Sequence, residues 1–236
     1  MSSVPSRGEL YDWELTQLGK ADDDIEWLAS LVGGGRVLEL GCGTGRVAAP
    51  LASRGADVVG LDLDPVMLGL ATRGSGVALV CADMRAFAFH AAFDVVTIPY
   101  NGLQLLLDAE GREACLRAAA AHLGPAGVVA FEITDFVSGV VRTSVPHEPI
   151  ASGRMGSVAV ELEGALDIDL ERRITVYRRR FRLEPGPVVE RDIALYTFRP
   201  GEIEDLLAHA GLTGEMTSPR TNVERWTARR IGSCAT

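Results

Sequence analysis

The residues best suited to chemistry lie in VLELGCGTG, 37–45. A short apolar run ends at Leu40, and Gly41, Gly43 and Gly45 then turn the chain toward a helix. Glycines at such a turn admit positive φ and let backbone amides approach a ligand closely. The spacing is G-x-G-x-G rather than the G-x-G-x-x-G of dinucleotide sites, and no G-x-x-x-x-G-K-[ST] phosphate loop occurs. Glu39 stands just before the turn, where a carboxylate repels a pyrophosphate and suits a ligand bearing an ammonium group. Asp62 ends a second apolar run, placed to accept hydrogen bonds from ribose hydroxyls. Asp83 follows a third, placed for an adenine amino group.

Those residues need strands behind them. Runs at 36–40, 57–61, 77–81, 93–98 and 127–133 are short, apolar and bounded by turn residues, as buried strands are. Helical patterns fall between them, at 22–32, from the glycine loop through about 53, at 65–72 and at 110–123. Asp22 to Asp24 suit the positive end of the first helix, and Pro50 falls inside the second, where it should remove one ladder bond. This alternation predicts βαβ units and a mostly parallel sheet covered on both sides. The pattern then changes. Residues 158–162 and 166–170 alternate strictly with Gly164 between them, and 173–183 and 188–198 flank the turn EPGP. They read as an antiparallel unit inserted into the domain. A helix at 202–210 and two closing strands, near 212–216 and 223–228, complete the chain. The expected division is a core of 1–144 and 199–236 with an inserted β cap, a substrate lid, at 145–198.

With 236 residues the chain can bury a core without disulfides. Cys42, Cys81, Cys115 and Cys234 lie far apart and form no C-x-x-C pair, so reduced thiols, a cytoplasmic setting and no metal are expected. The net charge of −9 disfavours a non-specific grip on nucleic acid. MSSVPSRGELYDWE does not read as a signal peptide, and no apolar run of about 18 residues suggests a membrane span.

VLELGCGTG (37–45), VVGLDLDPVML (58–68), CADMRAF (81–87), FDVVTIPYNGLQLLL (93–107) and HLGPAGVVAFEI (122–133) resemble, in order and spacing, the class I S-adenosylmethionine-dependent methyltransferases. The resemblance implies an α/β fold: a Rossmann-like seven-stranded sheet of order 3-2-1-4-5-7-6, helices on both faces, and the last strand antiparallel. It also implies roles around S-adenosylmethionine. Glu39, Gly41, Cys42 and Gly43 would hold its methionine part, Asp62 its ribose, and Leu63 and Met67 would pack on the adenine. Asp83 and the Met84 backbone would read the adenine edge, and the Ile98 carbonyl would face the ammonium. The N-terminal ELYDWE looks like a segment that folds over the cofactor, with Tyr11 as its contact. The inserted strands are similar in architecture to the cap of sugar and glycine-type N-methyltransferases. A small-molecule acceptor, methylated on nitrogen or oxygen in natural-product or sugar metabolism, is what the family implies.

Two alternatives come with it. Thr97-Ile98-Pro99-Tyr100 partly resembles the [ND]-P-P-[YF] segment of amino-group DNA methylases but lacks the Asn or Asp and the first proline. A homologue that keeps the cofactor without transferring methyl is the other. For the acceptor, an amine needs little base assistance, whereas a hydroxyl needs a base. His147, read as part of a lid loop, and Tyr100 are the candidates for catalysis. Asn101, Gln104 and Glu132 are candidates for the acceptor pocket. His122 ends a helix, where a cation suits the dipole. The run Arg178 to Arg180 invites a phosphate-binding reading, but it should split between two strand faces and pair with Glu190 and Asp192, which favours a solvated, salt-bridged surface. The cap offers strand edges for a homodimer.

Overall fold

The computed structural model describes residues 4–20, 22, 24–71, 76–136, 143–220 and 222–232. Asp23, Thr72 and Cys234 lie outside the described residues. The first strands are β1 (Arg36–Leu40), β2 (Asp57–Asp62), β3 (Ala78–Cys81), β4 (Phe93–Ile98) and β5 (Leu123–Thr134). The inserted unit follows as β6 (Ser144–Met155), β7 (Val158–Asp169), β8 (Ile174–Glu184) and β9 (Val188–Tyr196). Then come β10 (Leu212–Arg220) and β11 (Val223–Arg230). The main sheet has seven strands in the order β10-β11-β5-β4-β1-β2-β3. That is the expected 3-2-1-4-5-7-6 arrangement once the cap strands are left out of the count. β1 to β5 pair in parallel, and β11 runs antiparallel to both β5 and β10.

Successive side chains of a strand point to opposite faces, and both faces here are covered. Val37, Val58 and Val95 face a cluster shared with the helices α2 (Ile25–Val32) and α3 (Ala48–Ser53). Leu38, Leu40, Val96 and Phe131 face the opposite cluster with α5 (Ala109–Ala121) and α6 (Glu202–His209). A helix absent from the sequence reading, α1 (Arg7–Gln17), opens the described chain. Ser6 and Glu9 form its capping box, an S-x-x-E signal that was present in the sequence. Leu10 and Trp13 of α1 pack on Val160, Leu162 and Phe181, so this helix is joined to the cap.

Several local expectations are corrected. Residues 158–169 are one continuous strand rather than two: Gly164 makes no turn but sits extended in β7 opposite Arg179. A side chain there would collide with Ile150 Cδ1 and meet Arg179 Nη1 at 2.9 Å, so the glycine leaves room for both neighbours. His147 lies on β6, not in a loop. Pro50 is the third residue of α3, and the amides of Ala49 and Leu51 donate to the Gly45 and Val47 carbonyls on either side of it, so it omits one ladder bond as expected. Asp24 makes no side-chain cap to α2, and its carboxylate turns inward. His122 accepts a hydrogen bond at Nε2 from the Phe89 amide while Nδ1 lies 2.7 Å from the Ala118 carbonyl. Both ring nitrogens are thus engaged by the chain's own backbone.

Gln104, in a short 3-10 turn after β4, ties the core to the cap. Its amide nitrogen donates to the carbonyls of Thr134 (2.9 Å) and Tyr196 (2.6 Å), and its oxygen accepts from the Thr134 amide (2.8 Å).

Candidate functional site

A cavity of about 470 Å³ opens at the carboxyl ends of the parallel strands, where open α/β sheets bind ligands. Its floor is the glycine turn after β1. Gly41, Gly43 and Gly45 have φ of 72°, 55° and 80°, which a side-chain-bearing residue rarely adopts. The amides of Gly41 and Cys42 both donate to the Leu61 carbonyl, at 2.7 and 3.0 Å. Asp62 fastens the turn further, accepting from the Gly43 amide at 2.7 Å and from the Asp64 amide at 2.8 Å. Gly60 lets the loop lie down: a Cβ there would meet Cys42 Sγ at 2.8 Å.

Glu39 lies under this turn and is 2% exposed. Its Oε2 is buried with no hydrogen-bond partner. Burial raises its carboxyl from the ordinary 4.5 to about 8, with Arg46 and the Ala48 amide pulling the other way and Asp24 and Asp62 adding to the rise. Beside it, Arg46 forms a two-pronged pair with Asp24 at 2.6 and 2.7 Å. Asp24 is 1% exposed, so this pair is buried. The Arg46 guanidinium also lies over the Tyr100 ring, 5.3 Å from its centre. Tyr11 of α1 meets Tyr100 edge to face, ring centres 6.5 Å apart. Burial pushes the Tyr11 hydroxyl up to about 12 and raises that of Tyr100 as well.

Tyr11, Glu39, Gly41, Cys42, Gly43, Asp62, Met67 and Met84 all border the cavity, as do Tyr100, Asn101 and Glu132. Other expected residues are placed elsewhere. Leu63 is 65% exposed and Ile98 is fully buried. The Asp83 carboxylate is committed to Arg85, at 2.6 Å, and those hydrogen bonds hold it below the usual carboxylate range. Gln104 is spent on the tie described above, and His147 stands on the cap near Glu163. Glu132 is buried and paired with Arg225 at 3.0 Å; burial raises its carboxyl despite that partner.

The roof comes from α1 and the cap. Arg179 of β8 and Arg191 of β9 both reach into the cavity and both bind Glu14 of α1, Arg179 through Nε at 2.6 Å. Their neighbours Arg178 and Arg180 point outward to Asp167, Asp192, Glu163 and Glu190. The arginine run therefore splits as the strand period requires, but its middle member belongs to the cavity rather than to a solvated face. Sequence reading missed Glu14, Asp24, Arg46, Arg179 and Arg191. Arg46 had a signal, since it follows the last glycine of the turn directly. Asp24 and Arg179 stood in the acidic and arginine runs but were assigned to a helix dipole and a solvated face, and Glu14 and Arg191 had no signal. Among the described residues no three His, Cys, Asp or Glu side chains group as a metal site, and no helix is long and apolar enough to cross a membrane.

The family model for a methyltransferase domain matches residues 37–127. The cypemycin N-terminal methyltransferase of a Streptomyces species is 35% identical over 132 residues, 54% of each chain. The dTDP-3-amino-3,6-dideoxy-alpha-D-glucopyranose N,N-dimethyltransferase of Streptomyces fradiae is 35% identical over 133 residues, 52% of this chain and 51% of that one. The chain thus spans about half the length of the curated relatives it matches. Among solved structures, an amino pentose methyltransferase from Micromonospora echinaspora with S-adenosylmethionine bound superposes with a TM-score of 0.80 at 26% identity, covering 98% of this chain and 100% of that one. DesVI of Streptomyces venezuelae shares the fold, with a TM-score of 0.83 at 21% identity over 97% of this chain and 100% of its own. The sheet order and the glycine turn agree with these relatives: residues 37–127 match a methyltransferase domain, and the chain resembles the class I S-adenosylmethionine-dependent methyltransferases in fold.

Proposed function

We propose that this chain moves the methyl group of S-adenosylmethionine to an amine nitrogen of a small polar molecule. The observation that carries the reading is Glu39. A buried carboxylate oxygen without a partner is costly, and an ammonium group set beside the glycine turn would satisfy it. In this reading Asp62, already oriented by two backbone amides, offers its remaining lone pairs to ribose hydroxyls. Tyr11 closes over the cofactor from α1, and Met67 and Met84 supply apolar contact.

The bound cofactor supplies a methyl group on a positively charged sulfur. The chain's own part is to align the acceptor with it and to exclude water, and alignment alone is worth about 7–11 kcal/mol. The cavity would hold the acceptor nitrogen with its lone pair toward that methyl, and the amine would shed a proton once methylated. No histidine lines the cavity among the described residues. The Tyr11 and Tyr100 hydroxyls, raised by burial, stay protonated near neutral pH. Such a lining suits an amine that arrives as the free base, and suits a hydroxyl poorly. Glu132 can accept a hydrogen bond from the incoming N–H. Two of the relatives named above, an N-terminal methyltransferase and an N,N-dimethyltransferase of an amino sugar nucleotide by their names, support nitrogen. Ubiquinone O-methyltransferases match over a similar stretch at comparable identity, so phenols belong in the test.

The test is transfer from methyl-labelled cofactor to amino sugars, peptide N-termini, phenols and an adenine-containing oligonucleotide. Label on amines, with phenols and the oligonucleotide unlabelled, is the expected result. Preferred labelling of phenols refutes the nitrogen assignment. Tight cofactor binding with no transfer to any class identifies a homologue that has kept only the binding site.

A further inference from the structure

The cavity is electrically two-ended. Its floor carries Glu39, Asp62, Asp24 paired with Arg46, and Glu132 paired with Arg225, while its roof carries two arginines on one carboxylate. The roof is physically unusual. Arg179 and Arg191 are directly opposite each other on the paired strands β8 and β9, and like charges so placed repel. Their side chains are only 14% and 15% exposed, so water does little to relieve them. Glu14 is their shared partner and compensates one charge of the two. Arg191 Nε is buried and has no hydrogen-bond partner. Room for Arg179 comes from a missing side chain on its other neighbour, Gly164. The guanidiniums also lie over aromatic rings, Arg179 on Tyr177 at 5.0 Å and Arg191 on Tyr11 at 5.6 Å. A buried cluster with one uncompensated positive charge is less stable than an apolar packing of the same volume, unless something negative joins it.

We infer that Arg179 and Arg191 form a seat for an anionic group of the methyl acceptor, a carboxylate or a phosphate, with Glu14 holding the two guanidiniums in place. The planar guanidinium fork suits either oxyanion. The inference rests on the methyltransferase reading and deepens it: the acceptor carries an amine at one end and an anion at the other. The amine then lies toward the sheet end, where the methyl is delivered, and the anion lies under the cap. The seat is built from three elements, α1, β8 and β9, so an acceptor bound there also draws α1 and the cap together over the cavity.

The test uses the whole protein loaded with S-adenosylhomocysteine and titrated by calorimetry with inorganic phosphate and, separately, with malonate. The expected result is saturable binding of at least one of them, and the preferred probe identifies phosphate or carboxylate as the group taken. Arg179→Met and Arg191→Met should each weaken it about tenfold or more, with the S-adenosylhomocysteine affinity unchanged within about threefold. Arg191→Lys keeps the charge and should retain part of the affinity, which covers the case in which the methionine variants fold poorly. Glu14→Gln removes the competing carboxylate and should strengthen anion binding. A purely structural triad does not predict that gain. Methyl transfer to glucosamine 6-phosphate should likewise exceed transfer to glucosamine, and the difference should shrink in Arg191→Lys and vanish in Arg191→Met. S-adenosylhomocysteine binding without saturable anion binding, or anion binding unaffected by all four substitutions, overturns this inference and leaves the methyltransferase reading standing. Failure to bind S-adenosylhomocysteine overturns that reading itself.

Discussion

Glu39→Gln probes the charge at the floor of the cavity. In the free protein its carboxyl titrates at about 8 because burial disfavours the anion. At pH 7 it is therefore about nine-tenths protonated. An ammonium group docking against it favours the anion, so binding should release about 0.9 proton at that pH. Deprotonation at pH 7 costs about 1.4 kcal/mol, against the roughly 1.5–3 kcal/mol of a charged hydrogen bond. The net loss on replacing Glu39 by Gln should then be small at pH 7, tenfold or less, and should grow as the pH approaches 8. The variant should release almost no proton. Calorimetry with S-adenosylhomocysteine in two buffers of different ionisation enthalpy reads the proton count directly. Stability follows the same linkage. The native carboxyl is raised above its ordinary 4.5, so its contribution is fully present below that pH and is lost as the pH climbs to about 8. Glu39→Gln should flatten that part of the unfolding profile. Equal proton release by wild type and variant would refute the assignment of Glu39 to the ammonium.

Asp24→Asn leaves Arg46 buried without its two-pronged partner and should cost about 3–5 kcal/mol in denaturant unfolding. Gln104→Leu strips hydrogen bonds from the Thr134 amide and the Tyr196 carbonyl. It should lower the unfolding midpoint by an amount equivalent to about 2–4 kcal/mol, with little change in cofactor affinity. Gly60→Ala drives a methyl against Cys42 Sγ; the overpacking should cost about 1–3 kcal/mol and weaken S-adenosylhomocysteine binding by displacing the turn. Tyr11→Phe removes a hydroxyl that titrates only near 12, so the pH profile of methyl transfer below pH 9 should keep its shape.

Local features were legible and distant ones were not. The core strands could be anticipated because each carries its own apolar run and turn residues, and the glycine turn is contiguous in sequence; their order came from the family resemblance alone. Gly164 misled because a glycine between two alternating segments has the same appearance whether it turns the chain or makes room for a neighbour; only the pairing with Arg179 decides. Asp24 beside its acidic neighbours reads as dipole compensation, yet its partner Arg46 lies on the far side of β1 in sequence. Glu14 meets Arg179 and Arg191 across 165 and 177 positions, a separation that no local pattern encodes. α1 hid for another reason: its capping box was visible, but its buried face mixes Leu10 and Trp13 with the charged Glu14, so no clean apolar stripe marked it.

The hydrogen bonds of Gln104 have a consequence for how such a chain can diversify. Thr134 ends the last core strand before the inserted unit, Tyr196 ends the unit's final strand, and one side chain clasps both. The insertion therefore leaves and rejoins the scaffold at a single spot. Its four strands can drift, lengthen or be transplanted from a cousin without moving the cofactor floor. Conserving a scaffold while exchanging what sits on that clasp gives one ancestor a route to many acceptors.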